Sequence, residues 1–532
     1  MNGRVSRATQ ATALSGPPRT ADSMRGLATM FAPGLKRFRS CWPEWAVVSL
    51  YATIVAFAIP YHEPWADEAQ AWQLARSLSL PALFQTYIRY EGSPGLWHFL
   101  LWVLVRARVS YSGLHWICGA IAVGATALLV FKSPFPRYLK FALPFTYFLL
   151  FQYAVVARSY VLAPVSLFLI ALCWKKSPLV LALLLGLLAN VALHAAVISG
   201  GLAVVYVVSR IQDRKHGVSH PWRRHIQALA ILLGLYAFAI WTAWPPSDLG
   251  FKPTAGYLPT VLLMRLLELG QPWLLAFPFW IVIANCFRAR RSLLYLLPVL
   301  LCMLFCVARY ASWWHVGLLY PLLICLLWIT WPAPGSNASR PETNGRIALM
   351  LMAAVQIGWS AYAIEFDHYN AYSPDLATAQ FLRPIVQQGG TVAVTYFHDP
   401  EDIDGTSSGV LTYRSVGLLP YFDHNIYINQ ADSFWSWSTQ NQTGKMLDRV
   451  LPLHPAVVIV EMRTPHRTNP IDSRDPNFEL LSQAGYKFTR MFCGARPISF
   501  YLDEKSCHLI FQHVDIPQEP AADKASTASE VK

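Results

Sequence analysis

Four ionisable side chains, His62, Glu63, Asp67 and Glu68, fall within seven residues, directly after an apolar run that ends near Pro60. Charge placed where a chain has only just left an apolar segment is costly and marks a candidate site. Asp67 and Glu68 are adjacent carboxylates, and a carboxylate held there can act as a general base toward an attacking hydroxyl. A plainer reading stands beside this one. Asp67 has the side chain of an N-cap for a helix running from Glu68 to Leu80, with Gln70 closing a capping box.

The elements that must position these groups are set by composition. The chain has 532 residues, of which 54% are hydrophobic and only 14% charged, with 20 tryptophans. It is too apolar for a soluble protein of this length and reads as a polytopic α-helical membrane protein. Its formal charge of +13 sits in the N-terminal tail and in short loops between apolar runs. That is the pattern of cytoplasmic lysine and arginine, and it excludes nucleic acid as the partner that explains the charge.

Residues 1–42 hold Arg4, Arg7, Arg19, Arg25, Lys36, Arg37 and Arg39 in a Ser-, Ala-, Gly- and Pro-rich background, as expected of a disordered basic cytoplasmic tail. Residues 43–366 form the transmembrane domain. Its first run, Trp45 to Pro60, has no small-residue cleavage site after it and reads as a retained span. Further apolar runs lie at 113–131, 139–154, 160–174, 178–192, 194–209, 226–244, 272–287, 293–308, 316–331 and 347–364. Several are short for roughly 30 Å of hydrocarbon.

Lys132 to Lys140, Lys175 and Lys176, Arg210 to Arg224 and Arg288 to Arg291 are all expected inside. Alternation then requires that Leu96 to Val105 does not cross, which makes 61–112 one long external loop with interfacial helices. The count becomes about 11 spans, with the N-terminus inside and the C-terminus outside. The same parity puts Arg158, His194, Lys252, Arg309 and His315 at external span ends, facing the acidic loop. Leu258 to Leu269, with Arg265 and Glu268, suits a re-entrant helix.

Residues 367–515 change character and read as a small external α/β domain. Strands are expected at Thr391 to Phe397, Ala456 to Met462, Tyr486 to Phe492, Ile498 to Leu502 and Cys507 to His513. Helices are expected at Pro374 to Gln388 and Asn477 to Ala484, stopped by Gly389-Gly390 and Gly485. Residues 516–532 read as a disordered tail. Of nine cysteines, Cys493 and Cys507 lie in this domain with a turn between them, and a disulfide between neighbouring strands is expected in an oxidising compartment. Cys302 and Cys306 are one helical turn apart without a second ligand pair, so packing explains them better than zinc.

Transporters place ionisable residues near the bilayer midplane, whereas here the acids and arginines gather at one rim. A lipid phosphate at headgroup depth fits that rim: a guanidinium binds the phosphate leaving group while a carboxylate takes the proton of the incoming hydroxyl. These are the requirements of glycosyl transfer from a phospholipid-linked sugar.

The segment Trp65 to Trp72, with Glu91-Gly92-Ser93-Pro94-Gly95-Leu96-Trp97 downstream, resembles the first external loop of the GT-C glycosyltransferases, the superfamily of protein O-mannosyltransferases and aminoarabinose transferases. Ala157-Arg158-Ser159-Tyr160 is similar to that family's Arg-x-Tyr segment, and Leu193-His194 falls where relatives carry a histidine. The resemblance covers 45 to about 210. It departs at Gly92-Ser93-Pro94-Gly95, where relatives often carry His-Pro-Pro. It implies a polyprenyl-phosphate sugar donor, a lipid, glycan or protein acceptor, and inversion at the external face of a bacterial inner membrane. By the same resemblance Asp67 is the base, and Glu68 is its helper as a metal or hydrogen-bond partner. No cofactor or metal follows from the residues themselves. Arg158, His194, Arg309, His315 and Glu91 form the set of substrate-binding candidates, with the plain alternative that Glu91 and His62 are only polar loop groups and that Trp313, Trp314 and Tyr310 are an interfacial belt. A flippase of lipid-linked saccharides and a non-catalytic scaffold are the competing readings.

Overall fold

The computed structural model describes residues 41–215, 222–250, 273–309, 312–333, 338–396, 412–438, 447–464, 476–497 and 503–514. The expectations for the two tails, Lys252, the segment 258–269, Tyr310 and the strand at 498–502 lie outside the described residues.

The chain is a helical membrane protein with a small sheet. Helix α1 spans Trp42–Ala58 and α2 Ala66–Ser77; α3 (Leu80–Gln85) and α4 (Leu96–Arg106) follow before α5, Tyr111–Lys132. At 1.5 Å per residue α4 is roughly 16 Å long, about half the hydrocarbon thickness. It folds back on α2: Arg106 donates to the carbonyls of Ala75 and Leu78, at 2.5 and 2.8 Å, and Trp102 Nε1 donates to Leu78 O at 3.2 Å. These bonds satisfy carbonyls that the end of α2 leaves open.

After α6 (Arg137–Ala142) the expected span at 139–154 is not a continuous helix. Pro144 has no amide hydrogen to continue α6, the backbone makes a π-turn over Phe148–Gln152, and a single 3₁₀ turn, Ser159–Val161, leads into the next helix. Irregular backbone survives at membrane depth only where protein surrounds it. Residues 147–157 are all buried. Side chains from distant elements take up carbonyls of this segment and of the turn before it: Tyr51 Oη donates to Leu149 O at 2.7 Å and Ser360 Oγ to Phe145 O at 2.8 Å.

Helices α7 (Leu162–Cys173), α8 (Pro178–Ala189), α9 (Leu193–Lys215), α10 (Trp222–Ala243), α11 (Trp273–Ala289), α12 (Leu297–Ala308), α13 (Trp313–Val316), α14 (Leu319–Ile329) and α15 (Arg340–Tyr369) complete the helical part. Among the described residues, four stretches are long and apolar enough to cross a membrane: Tyr111–Lys132, Leu193–Lys215, Arg223–Ala243 and Arg340–Tyr369. On α10, Ile226, Leu229, Leu233 and Ile240 are each more than half exposed, an apolar surface that water would oppose and lipid accommodates. Helix α15 starts at a capping box, with Ser339 N donating to Glu342 Oε2 at 2.8 Å.

The C-terminal part holds α16 (Asp375–Gln387), α17 (Leu447–Val450), α18 (Pro476–Gln483) and four strands, β1 Val392–Tyr396, β2 Val457–Thr464, β3 Tyr486–Pro497 and β4 Asp503–His513. Gly389 and Gly485 adopt φ of 84° and 85° after α16 and α18, the left-handed stop that glycine provides. The sheet order is β1-β2-β4-β3, with β1 parallel to β2 and the other pairs antiparallel. Val392, Val394, Val457, Ile459 and Ile510 pack into the large core shared with the helices, while Ala393, Val458, Val460, Leu509 and Phe511 pack on the opposite face. That is the two-residue period of strands covered on both sides. Cys493 and Cys507 lie opposite each other in the β3–β4 register and form a disulfide.

Candidate active site around Asp67

Asp67 is not an N-cap. Trp65 occupies that position with extended backbone, α2 begins at Ala66, and Glu68 reaches back from the third helical position to accept the Trp65 amide at 3.2 Å. Asp67 is thereby left in the first turn with its carboxylate aimed away from the helix. Its Oδ2 pairs with Arg158 Nη2 at 2.8 Å and its Oδ1 accepts from Tyr413 Oη at 3.0 Å. Both members of the ion pair keep 19% of their side-chain surface open.

Three aromatic rings wall the Arg158 guanidinium: Trp65, Tyr160 and Trp314 have centroids 5.6, 5.1 and 5.1 Å from it. Such faces favour a cation while excluding water. Trp314 is buried and stands edge-on to Trp65, so it belongs to the site wall and not to an interfacial belt. Trp313 beside it donates to Gln152 Oε1 at 3.2 Å. Arg496 of β3 stacks over Trp65 at 4.0 Å.

The rim histidines continue this wall. His315 stands edge-on to Tyr160 at 5.6 Å, and His194 stacks on His315 at 4.3 Å. Arg158, His194 and His315 are therefore in one chain of rings leading from Asp67. Arg309 is exposed at the end of α12 and makes no ion pair with these carboxylates among the described residues. Glu91 joins from the other side, accepting from Gln70 Nε2 at 2.8 Å. It is not a loop group in water: burial, against the Gln70 hydrogen bond and aided by the Asp67 charge, pushes its carboxyl up to about 7.

Glu68 has a different setting from its neighbour. Its carboxylate is buried and receives Ala157 N at 2.6 Å, His115 Nε2 at 2.9 Å and His62 Nε2 at 3.3 Å, besides the Trp65 amide. Burial alone would raise its pKa; the His62 charge and the hydrogen bonds from both histidines outweigh burial and hold it below the usual carboxylate range. His62, also buried, donates through Nδ1 to Asp367 Oδ2 at 2.9 Å. Burial pulls its imidazole down, but Asp367 and Glu68 prevail and push it up to about 10. The Ala157 amide precedes Arg158, so Glu68 fixes the backbone that presents the guanidinium to Asp67.

The C-terminal part closes over α2. Gln70 exchanges two bonds with the Trp435 backbone, Nε2 to O and N to Oε1, both 2.8 Å. Gln70 is therefore a strap between distant segments, not half of a capping box. Gln73 donates to Ser433 O at 2.8 Å, and Arg76 donates to the carbonyls of Phe422 and Leu419 at 2.9 and 3.2 Å, beside the 3₁₀ helix Thr412–Tyr421 that carries Tyr413. Sequence reasoning missed Tyr413, Trp65, Gln70, His115 and Asp367 as site residues. His115 and Asp367, polar groups within apolar helices, carried a signal of their own; Tyr413 lies in a stretch without periodicity and carried none.

No family model, no curated protein and no solved structure matches this chain.

Proposed function

We propose that this protein is a membrane glycosyltransferase of the GT-C kind, moving a sugar from a polyprenyl-phosphate carrier to a hydroxyl acceptor with inversion. The observation that carries the reading is the partly open Asp67–Arg158 pair at 2.8 Å, set among aromatic rings at the junction of a loop helix and the helical bundle. The donor's phosphate takes the guanidinium, whose planar fork matches its oxygens. This releases Asp67 Oδ2 for the acceptor hydroxyl. The hydroxyl oxygen then bonds to the anomeric carbon from the face opposite the phosphate, its proton passes to Asp67, and the C–O bond electrons leave on the polyprenyl phosphate. His194 and His315, on the ring wall beyond Tyr160, border the path of the sugar, and Glu91 borders Asp67 on the acceptor side.

In this reading the chain has about 11 spans, an internal N-terminus and an external C-terminal part, and it sits in a bacterial inner membrane. The test uses purified full-length protein and radiolabelled polyprenyl-phosphate sugars. Consumption of one donor with release of polyprenyl phosphate supports the reading. Movement of intact donor across a vesicle bilayer without its consumption overturns it in favour of a flippase.

A further inference from the structure

We infer that His62, Glu68 and His115 form a zinc site that ties the Asp67 loop to the helical bundle. Three donors of suitable type are already collected: one nitrogen from each imidazole and one Glu68 oxygen all lie within 4.8 Å of one another. His115 Nε2 stands 2.9 Å from Glu68 Oε2, and His62 Nε2 stands 3.3 Å from the other carboxylate oxygen, Oε1. Ligands at about 2.1 Å from a tetrahedral zinc ion stand roughly 3.4 Å apart, so small side-chain rotations complete the site. Two imidazoles with one carboxylate suit zinc better than magnesium or calcium, which take oxygen ligands.

A second observation concerns orientation. A metal-ligating histidine usually directs its other ring nitrogen at a carboxylate, which fixes the tautomer. His62 does so: Nδ1 is held by Asp367 Oδ2 at 2.9 Å, leaving Nε2 toward Glu68 and His115. Asp367 Oδ1 is buried with no hydrogen-bond partner among the described residues, so the carboxylate serves His62. Glu68 in turn is oriented by two backbone amides, Trp65 N and Ala157 N.

When the ion enters, His62 releases its Nε2 proton to solvent and keeps the Nδ1 proton on Asp367. His115 gives up the Nε2 proton that it now donates to Glu68, holding a single proton on Nδ1 and releasing any excess to solvent, and Glu68 remains a carboxylate. The ligands come from the turn after α1, the first turn of α2 and the first part of α5, so the ion would replace the direct His62–Glu68 and His115–Glu68 hydrogen bonds with one shared centre joining three elements. This inference does not depend on glycosyl transfer, and its test uses no substrate.

Full-length protein is purified in detergent through an affinity tag without histidines, in buffers free of chelator, and its metal content is measured by mass spectrometry. Expected are about one zinc per chain in the wild type and less than a tenth of that in His115→Asn. A strong chelator should lower the thermal unfolding midpoint of the wild type, and added zinc should restore it. This arm needs no variant and stands even where His115→Asn fails to fold. A wild type that holds no zinc and whose midpoint moves with neither chelator nor zinc overturns the inference, as does a folded His115→Asn that retains the metal.

Discussion

Gln70 and Trp435, 365 positions apart, exchange two 2.8 Å hydrogen bonds through the side-chain amide of one and the backbone of the other. One side chain thus mimics a strand partner and clamps the loop helix to the C-terminal part. Replacing Gln70 by Ala removes both of its hydrogen bonds to the Trp435 backbone in a buried setting, and the expected loss is about 1–3 kcal/mol of stability. A fall of a few degrees in the unfolding midpoint, together with faster proteolysis between 412 and 438, is the measurement that checks it.

Asp67→Asn is predicted to fold normally and to lower turnover by about 10²-fold or more, since the shape stays and the proton acceptor goes. The N-cap is supplied by Trp65, so capping does not confuse the result. A purified variant with undiminished turnover on its donor would remove Asp67 from the mechanism.

Arg158→Lys keeps the charge while losing the fork and its stacking between rings. Donor KM should rise by more than kcat falls. Tyr413→Phe, which leaves Asp67 Oδ1 without its 3.0 Å donor, should change activity much less than Asp67→Asn. Equal losses in the two variants would mean that Tyr413 itself takes part in proton transfer.

Glu91 gives the protein a pH dependence whose sign can be stated. Its folded pKa is raised from 4.5 to about 7, so the folded state binds the proton more tightly than the unfolded chain does. The stability this contributes is fully present below pH 4.5 and is lost as pH rises through about 7. Glu91→Gln should flatten the unfolding midpoint across that window, and an unchanged slope would mean that Glu91 titrates normally.

Reducing the Cys493–Cys507 bridge, or replacing both residues by Ser, is expected to cost about 3 kcal/mol through the entropy of a short closed loop. The effect should appear as earlier unfolding of the sheet, followed by tryptophan-independent probes such as hydrogen exchange on β3 and β4.

Much of the frame was legible in the sequence because it depends on local rules. The two-residue alternation gave the strands, Gly389 and Gly485 marked the helix ends, and the spacing of Cys493 and Cys507 matched a hairpin. Charge parity required that the short run at Leu96 not cross; the structure shows its helix bonded to α2. Charge placement set Asp67 and Arg158 at one rim as separate candidates, and their direct 2.8 Å pairing is a finding of the structure. The break at 139–154 was hidden because a buried irregular segment is as apolar as a span, and only Pro144 hinted at it. The division of labour between Asp67 and Glu68 was hidden for a different reason. It turns on a two-residue shift of the helix start, from Glu68 to Ala66, and the partners that fix it, His115, Ala157 and Tyr413, come from remote parts of the chain.

Tyr413 reaches Asp67 from a position 346 residues later in the chain. During synthesis the loop helix leaves the ribosome long before the segment that closes over it. A nascent chain halted within the last helices of the bundle already carries Asp67 and Arg158, yet lacks the tyrosine, the Trp435 strap and the Arg496 stack that enclose them. The order of translation thus keeps the site unfinished until the bundle has been built. Truncated products left in the membrane would carry the acid and the guanidinium without the contacts that enclose them.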